Sequence, residues 1–173
     1  MTPMRIARLS LLVVAAVVLQ TTIFSDLRIW GGGVWLGLLL VIAVAFNAGS
    51  NTGAIFGFIC GLIFDLFLTG TPLGLSALAY ALTGYAIGLF EGSMLRSGPL
   101  VTPIFAAGGT AFGILVFITG SAILGDAGVL SARTIGVLLV SVLANAAIAP
   151  LIFPAVNWAM SDGDRIRPGW KAS

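Results

Sequence analysis

The sequence contains no histidine and a single cysteine, Cys60. Imidazole acid–base catalysis, triad hydrolysis and the usual zinc sites draw on these two residue types, so most familiar membrane enzymes are disfavoured. No disulfide can form within the chain. Cys60 lies in an apolar run, where cysteine typically serves as a small buried hydrophobic side chain.

Charged residues are also scarce. They make up 8% of the chain and hydrophobic residues 59%, whereas a soluble domain has roughly 25% charged residues. The mean hydropathy is +1.14. This composition predicts an all-α integral membrane protein, with residues 1–173 forming a single transmembrane domain. The net charge of +2 is too small to indicate a nucleic-acid partner.

Apolar runs separated by glycine, proline and polar residues predict six transmembrane helices, since each span needs about 20 mostly apolar residues. The predicted helices cover residues 9–24, 34–48, 53–68, 73–90, 100–124 and 133–160. The first run has no small-x-small cleavage site after it, so we expect it to be retained as a helix. The uncharged turn between the second and third helices leaves a re-entrant hairpin as an alternative. Pro150 and Pro154 predict a bend in the last helix.

The basic residues predict the orientation. With six spans, one side of the membrane holds six of them and the other side two. The larger group is Arg5, Arg8, Arg96, Arg165, Arg167 and Lys171, and the smaller group is Arg28 and Arg133. By the positive-inside rule, both termini are expected in the cytoplasm.

A glycine stripe ends on an acid in the third predicted helix, "GAIFGFICGLIFD" at residues 53–65. Together with the preceding Gly49, the residues Gly53, Gly57, Gly61 and Asp65 follow one another in steps of four, which overshoot a helical turn by about 40° and so form one slowly winding band. Gly84 and Gly88 repeat the step in the next helix. Small residues allow membrane helices to approach closely. The stripe therefore predicts a close helix contact, either within the chain or with a partner's helix.

Asp65 is the sharper feature of this stripe. If the helix enters the hydrocarbon near Ser50, Asp65 lies about 22 Å along a core of roughly 30 Å. An acid at a helix centre costs about 2.5–3.5 kcal/mol, so this carboxylate is expected to face protein or water. The alternative is a position at the headgroups, where it caps the following turn. Proton-coupled transport usually needs several intramembrane ionisable groups and is disfavoured.

Arginine and threonine side chains on the same side of the membrane are the candidate partners of the Asp65 carboxylate. They are Arg28, Arg133, Thr69 and Thr71.

These motifs resemble a known family. Residues 57–65, followed by Pro72-Leu-Gly74 and Gly84-Tyr-Ala-Ile-Gly88, resemble the central signature of MreD, the bacterial rod shape-determining membrane proteins. The exit of the first helix, Leu19-Gln-Thr-Thr22, is also similar. One departure is residues 32–35, which read Gly-Gly-Val-Trp where many members carry a Pro-Asp pair. The matching signature positions are Gly57, Gly61, Asp65, Gly74, Gly84 and Gly88.

The resemblance implies a non-enzymatic scaffold of the cell-elongation machinery, located in the bacterial inner membrane and without a cofactor. Its implied partners, besides the lipid bilayer, are an MreC-like bitopic protein, an MreB-like filament and the elongasome peptidoglycan synthases. We expect these partners to bind through the glycine-lined helix faces. The implied fold is that of the six-helix substrate-binding subunit of energy-coupling-factor (ECF) transporters.

The alternative function is that of such a vitamin-binding transporter subunit. It requires a polar pocket, for which Ser76, Tyr80 and Thr83 share roughly one helix face. Residues of this kind more often bond across helices or to their own backbone. Those subunits often carry an Ala-x-x-x-Ala motif on their first helix, and Ala7, Ala15 and Ala16 do not supply that spacing.

Overall fold

The computed structural model describes residues 3–22, 33–67, 73–90, 100–125 and 132–161, and of residues 132 and 133 only the backbone. These residues form five α-helices and no strand. The helices are α1 (Pro3–Thr22), α2 (Leu36–Phe67), α3 (Leu75–Gly88), α4 (Val101–Ile123) and α5 (Ala132–Met160). Arg28, Arg96 and the basic residues of the tail, on which the predicted orientation rests, lie outside the described residues, as does the side chain of Arg133.

The described helices agree with an all-α membrane protein. Within the described residues, four stretches are long and apolar enough to cross a membrane, namely Pro3–Thr22, Leu36–Phe67, Val101–Ile123 and Thr134–Met160. The fifth helix, α3, has 14 residues, and at 1.5 Å per residue it rises about 21 Å, short of a hydrocarbon core of roughly 30 Å. The described residues thus form five helices where six were predicted.

The difference in number arises at Gly49, which lies inside α2 with φ 84° and ψ 176°. This backbone conformation is essentially restricted to glycine. It divides α2 into two arms, which we name α2a (36–48) and α2b (50–67). The predicted turn at residues 47–52 is therefore helical on both sides of a single residue.

The two arms of α2 fold back on each other. A Cβ atom on Gly53 would lie 2.5 Å from the Cβ of Ala45, although residues eight apart in a straight helix are about 12 Å apart. Further along, the Cys60 thiol lies 3.8 Å from the carbonyl oxygen of Gly37. The arms are therefore antiparallel, as the sequence predicted for the second and third helices.

The arm α2a forms the core of the bundle. Every residue from 36 to 46 is buried, and α2 contacts each of the other four helices. A helix that is apolar all round is typically surrounded by protein in this way. Ile42 contacts α4 at Gly109 and Val41 contacts α3 at Gly84, so glycines on the neighbouring helices make room for its branched side chains.

Polar side chains from α1 and α5 hold the chain that enters α2a. Gln20 accepts a hydrogen bond from the Leu36 N–H at 3.0 Å and donates to the Val34 carbonyl at 2.6 Å. Asn145 accepts from the Trp35 N–H at 3.0 Å and donates to the Thr110 hydroxyl at 2.9 Å. The first N–H groups of a helix have no acceptor within it, and here side chains of two other helices supply acceptors.

The N-terminal end of α1 and the C-terminal end of α5 lie on the same side of the bundle. The Arg8 guanidinium donates to the Trp158 and Ser161 carbonyls at 3.4 and 3.3 Å and lies 4.9 Å from the centre of the Trp158 ring. The turn of α2 is at this side too, because the ring of Phe46 on α2a contacts that of Phe153 on α5 edge to face, with 5.8 Å between the ring centres. α5 continues through both of its prolines, and the expected bend there stays a prediction.

Candidate functional site

The glycine stripe of α2b packs directly against the backbone of α3. A Cβ atom on Gly57 would lie 2.7 Å from the carbonyl carbon of Tyr80 and closer still to its oxygen, and one on Gly61 would lie 2.5 Å from the Cα of Ala77. Carbon atoms in contact are normally about 3.5–4.0 Å apart. Neither position therefore has room for any side chain without moving α3.

The glycines of α3 complete the same contact from the other side. A Cβ on Gly84 would lie 2.6 Å from the carbonyl carbon of Gly53, and one on Gly88 would lie 2.5 Å from that of Gly49. The contacts pair 53 with 84, 57 with 80 and 61 with 77, so the two helices are antiparallel and in contact over about two turns. Because lipid supplies no hydrophobic drive between helices, this close backbone approach is the type of packing that stabilises a membrane helix pair.

This geometry bears on the expectation that a partner's helix binds the glycine face. The face formed by Gly53, Gly57 and Gly61 is buried, and the helix that covers it is α3 of the same chain. A partner could reach these glycines only after α3 had separated from α2b. The contact is therefore intramolecular in this structure, which matches the other of the two alternatives for the stripe.

Asp65 ends the stripe and caps α3. Its Oδ2 atom accepts hydrogen bonds from the backbone N–H groups of Gly74 at 2.8 Å, Ser76 at 3.1 Å and Ala77 at 3.4 Å. The residue at the N-cap position of α3 is Gly74, which has no side chain with which to cap the helix. A carboxylate suits this place, because the start of a helix presents unpaired N–H groups and a partial positive charge.

Asp65 is 5% exposed, so in this structure the residue is surrounded by protein while its carboxylate caps the helix that follows. Within the part of the chain that the structure describes, its other oxygen, Oδ1, accepts no hydrogen bond. The arginines and threonines expected as its partners fall on residues 28, 69, 71 and 133, whose side chains are not described. The acid therefore acts, in the described structure, as an N-cap supplied by the preceding helix.

Gly74 belongs to the same site for a different reason. A Cβ atom there would meet nothing within 4 Å, but its φ is +94°. That left-handed conformation disfavours residues with a side chain. Gly57 and Gly61 are thus required for space, whereas Gly74 is required for its backbone angle, which starts α3 at the point where Asp65 can reach its N–H groups.

The side chains considered for a polar ligand pocket are packed between helices. Tyr80 is 4% exposed and its ring lies 6.1 Å from that of Phe64. Thr83 is fully buried and its hydroxyl donates to the Ala79 carbonyl at 2.7 Å. Ser76 is also buried. These three residues face neighbouring helices and give no support to a vitamin-binding pocket on this face of α3.

The role of Gln20 was not predicted from the sequence, where the Leu19-Gln-Thr-Thr22 segment served only as part of the family resemblance. The role of Asn145 was not predicted either. An available signal was the chemistry of an amide inside an apolar helix, since a buried amide needs hydrogen-bond partners. The identity of those partners, the backbone of residues 34–36, could not be read from the pattern.

Among the described residues, no three histidine, cysteine, aspartate or glutamate side chains come together as a metal site would require. In a comparison with known protein families, the family model described as rod shape-determining protein MreD matches residues 4–157 of the chain. That span includes the whole α2b–α3 contact, Asp65 and both amide side chains. Neither the curated proteins nor the solved structures gave a match.

Proposed function

The chain belongs to the MreD family of rod shape-determining membrane proteins, and we propose that it acts there as a non-enzymatic scaffold. Membership gives it a role in determining rod shape and an association with the membrane and the shape-determining machinery. The finer proposal is that it sits in the bacterial inner membrane as a multi-pass protein. There it would regulate peptidoglycan synthesis by binding other proteins of the cell-elongation machinery.

The observation that carries this proposal is the α2b–α3 contact. The signature positions of the family resemblance all take part in building it: Gly57, Gly61, Gly84 and Gly88 as glycines without room for a side chain, Asp65 as the cap, and Gly74 as the left-handed residue at which α3 starts. Residues used in this way hold two helices in a defined arrangement and leave no reactive group presented to a substrate. This supports a structural role, in which the signature builds the platform and other faces of the helices meet the partners.

The proposed partners are an MreC-like bitopic protein, an MreB-like filament and the elongasome peptidoglycan synthases. We propose that they contact surfaces other than the glycine face, because α3 already covers that face. Both termini are proposed to be cytoplasmic, the side on which an actin-like filament lies. The arrangement of Arg8 against the end of α5 supports placing the N-terminal end of α1 and the C-terminal end of α5 on one side of the membrane.

Co-purification tests the scaffold proposal. The full chain is isolated from the native membranes of its bacterium in mild detergent, and the bound proteins are identified by mass spectrometry. Recovery of a bitopic elongasome protein is the expected result. Recovery of an ATPase pair with a coupling subunit, or of a bound vitamin, would replace the scaffold proposal with transport.

A glycine variant separates the two roles of the stripe. Gly61→Leu is expected to reduce the amount of folded, monodisperse protein, because a Cβ atom at this position already collides with the backbone of α3. The partner should then be lost in proportion to the folded protein. A variant that stays folded at normal levels but no longer retains the partner would show that the glycine face docks the partner after all. Gly108→Leu serves as the control, since a Cβ there meets nothing within 4 Å.

A further inference from the structure

We draw no further inference here: the strongest candidate, the buried Oδ1 atom of the Asp65 carboxylate at the start of α3, which accepts no hydrogen bond within the described residues, belongs to the helix cap already described, and nothing in the structure shows which donor would reach it.

Discussion

Replacing Asp65 by alanine removes the acceptor that the first N–H groups of α3 share. Two of its hydrogen bonds are short, at 2.8 and 3.1 Å, and the third is long at 3.4 Å. An N-cap contributes about 0.5–2 kcal/mol, and each buried donor left unpaired costs about 1–3 kcal/mol. The Ser76 N–H is buried and the Gly74 N–H only partly so. Counting about 1–3 kcal/mol for the first and about 1 kcal/mol for the second, we expect Asp65→Ala to destabilise the protein by about 2–4 kcal/mol, a large fraction of a typical total of about 5–15 kcal/mol.

Thermal unfolding of the purified chain in detergent measures this loss. A change of 1 kcal/mol shifts the Tm of a protein of this size by about 2–4 °C, so Asp65→Ala should lower the Tm by about 4–16 °C. Asp65→Asn keeps the shape and an acceptor oxygen but loses the charge. Charge-assisted hydrogen bonds are roughly twice as strong as neutral ones, so the asparagine variant should lose part of the wild-type stability. Because it keeps an acceptor for the N–H groups of α3, its Tm should fall less than that of the alanine variant.

The ordering of these variants is the decisive result. An Asp65→Ala protein as stable as the wild type would refute the capping role. A stable Asp65→Ala protein that no longer supports rod shape in a complementation assay would place the carboxylate in a contact with a partner. Equal losses for alanine and asparagine would mean that the charge itself, and not the acceptor geometry, is what α3 requires.

Three further predictions use the same unfolding assay. Gly57→Ala should destabilise the protein by about 1–3 kcal/mol through overpacking. Its control is Gly108→Ala, where a Cβ meets nothing within 4 Å and the change should be neutral or stabilising by up to about 1 kcal/mol. Similar Tm values for the two variants would contradict the tight contact between α2b and α3. Gly49→Ala should lower the free energy of unfolding by about 1–3 kcal/mol, because a φ of 84° and a ψ of 176° disfavour a residue with a side chain. An unchanged Tm would argue against a chain reversal at Gly49. Asn145→Leu removes the amide that bonds the Trp35 N–H and the Thr110 hydroxyl, and should lower the free energy of unfolding by about 1–3 kcal/mol. A Tm equal to or above the wild-type value would mean that this amide does not stabilise the fold.

Much of the fold could be predicted from local composition. Apolar runs of sufficient length located the helices to within a few residues over most of the chain, because the hydrocarbon core sets both their length and their polarity. The prediction was wrong at α2, where a six-residue turn was expected and Gly49 alone reverses the chain. A glycine that reverses the chain and a glycine that makes room for a neighbouring helix can stand in the same sequence pattern. The two differ only in their backbone angles, so the pattern does not distinguish them.

At the candidate site, the arrangement of the glycine stripe could be predicted from the sequence, but its contact could not. The step of four shows that Gly53, Gly57 and Gly61 share one face and that another backbone comes close to it. It does not show which backbone, because periodicity describes one helix at a time. Only the tertiary structure decided that α3 covers the stripe and that Asp65 reaches forward to the N–H groups of Gly74 and Ser76.

The sequence by itself determined the class of protein, the approximate positions of the helices outside α2, the existence of a close contact and the family, since each follows from hydropathy, period and motif. The tertiary structure decided which helix lies at the centre and what holds it there. α2a is apolar on every side, so it has no polar face to indicate its orientation. The amides of Gln20 and Asn145 hold its entry from helices that are distant in sequence. Such contacts depend on how helices are placed relative to one another, which no local pattern encodes.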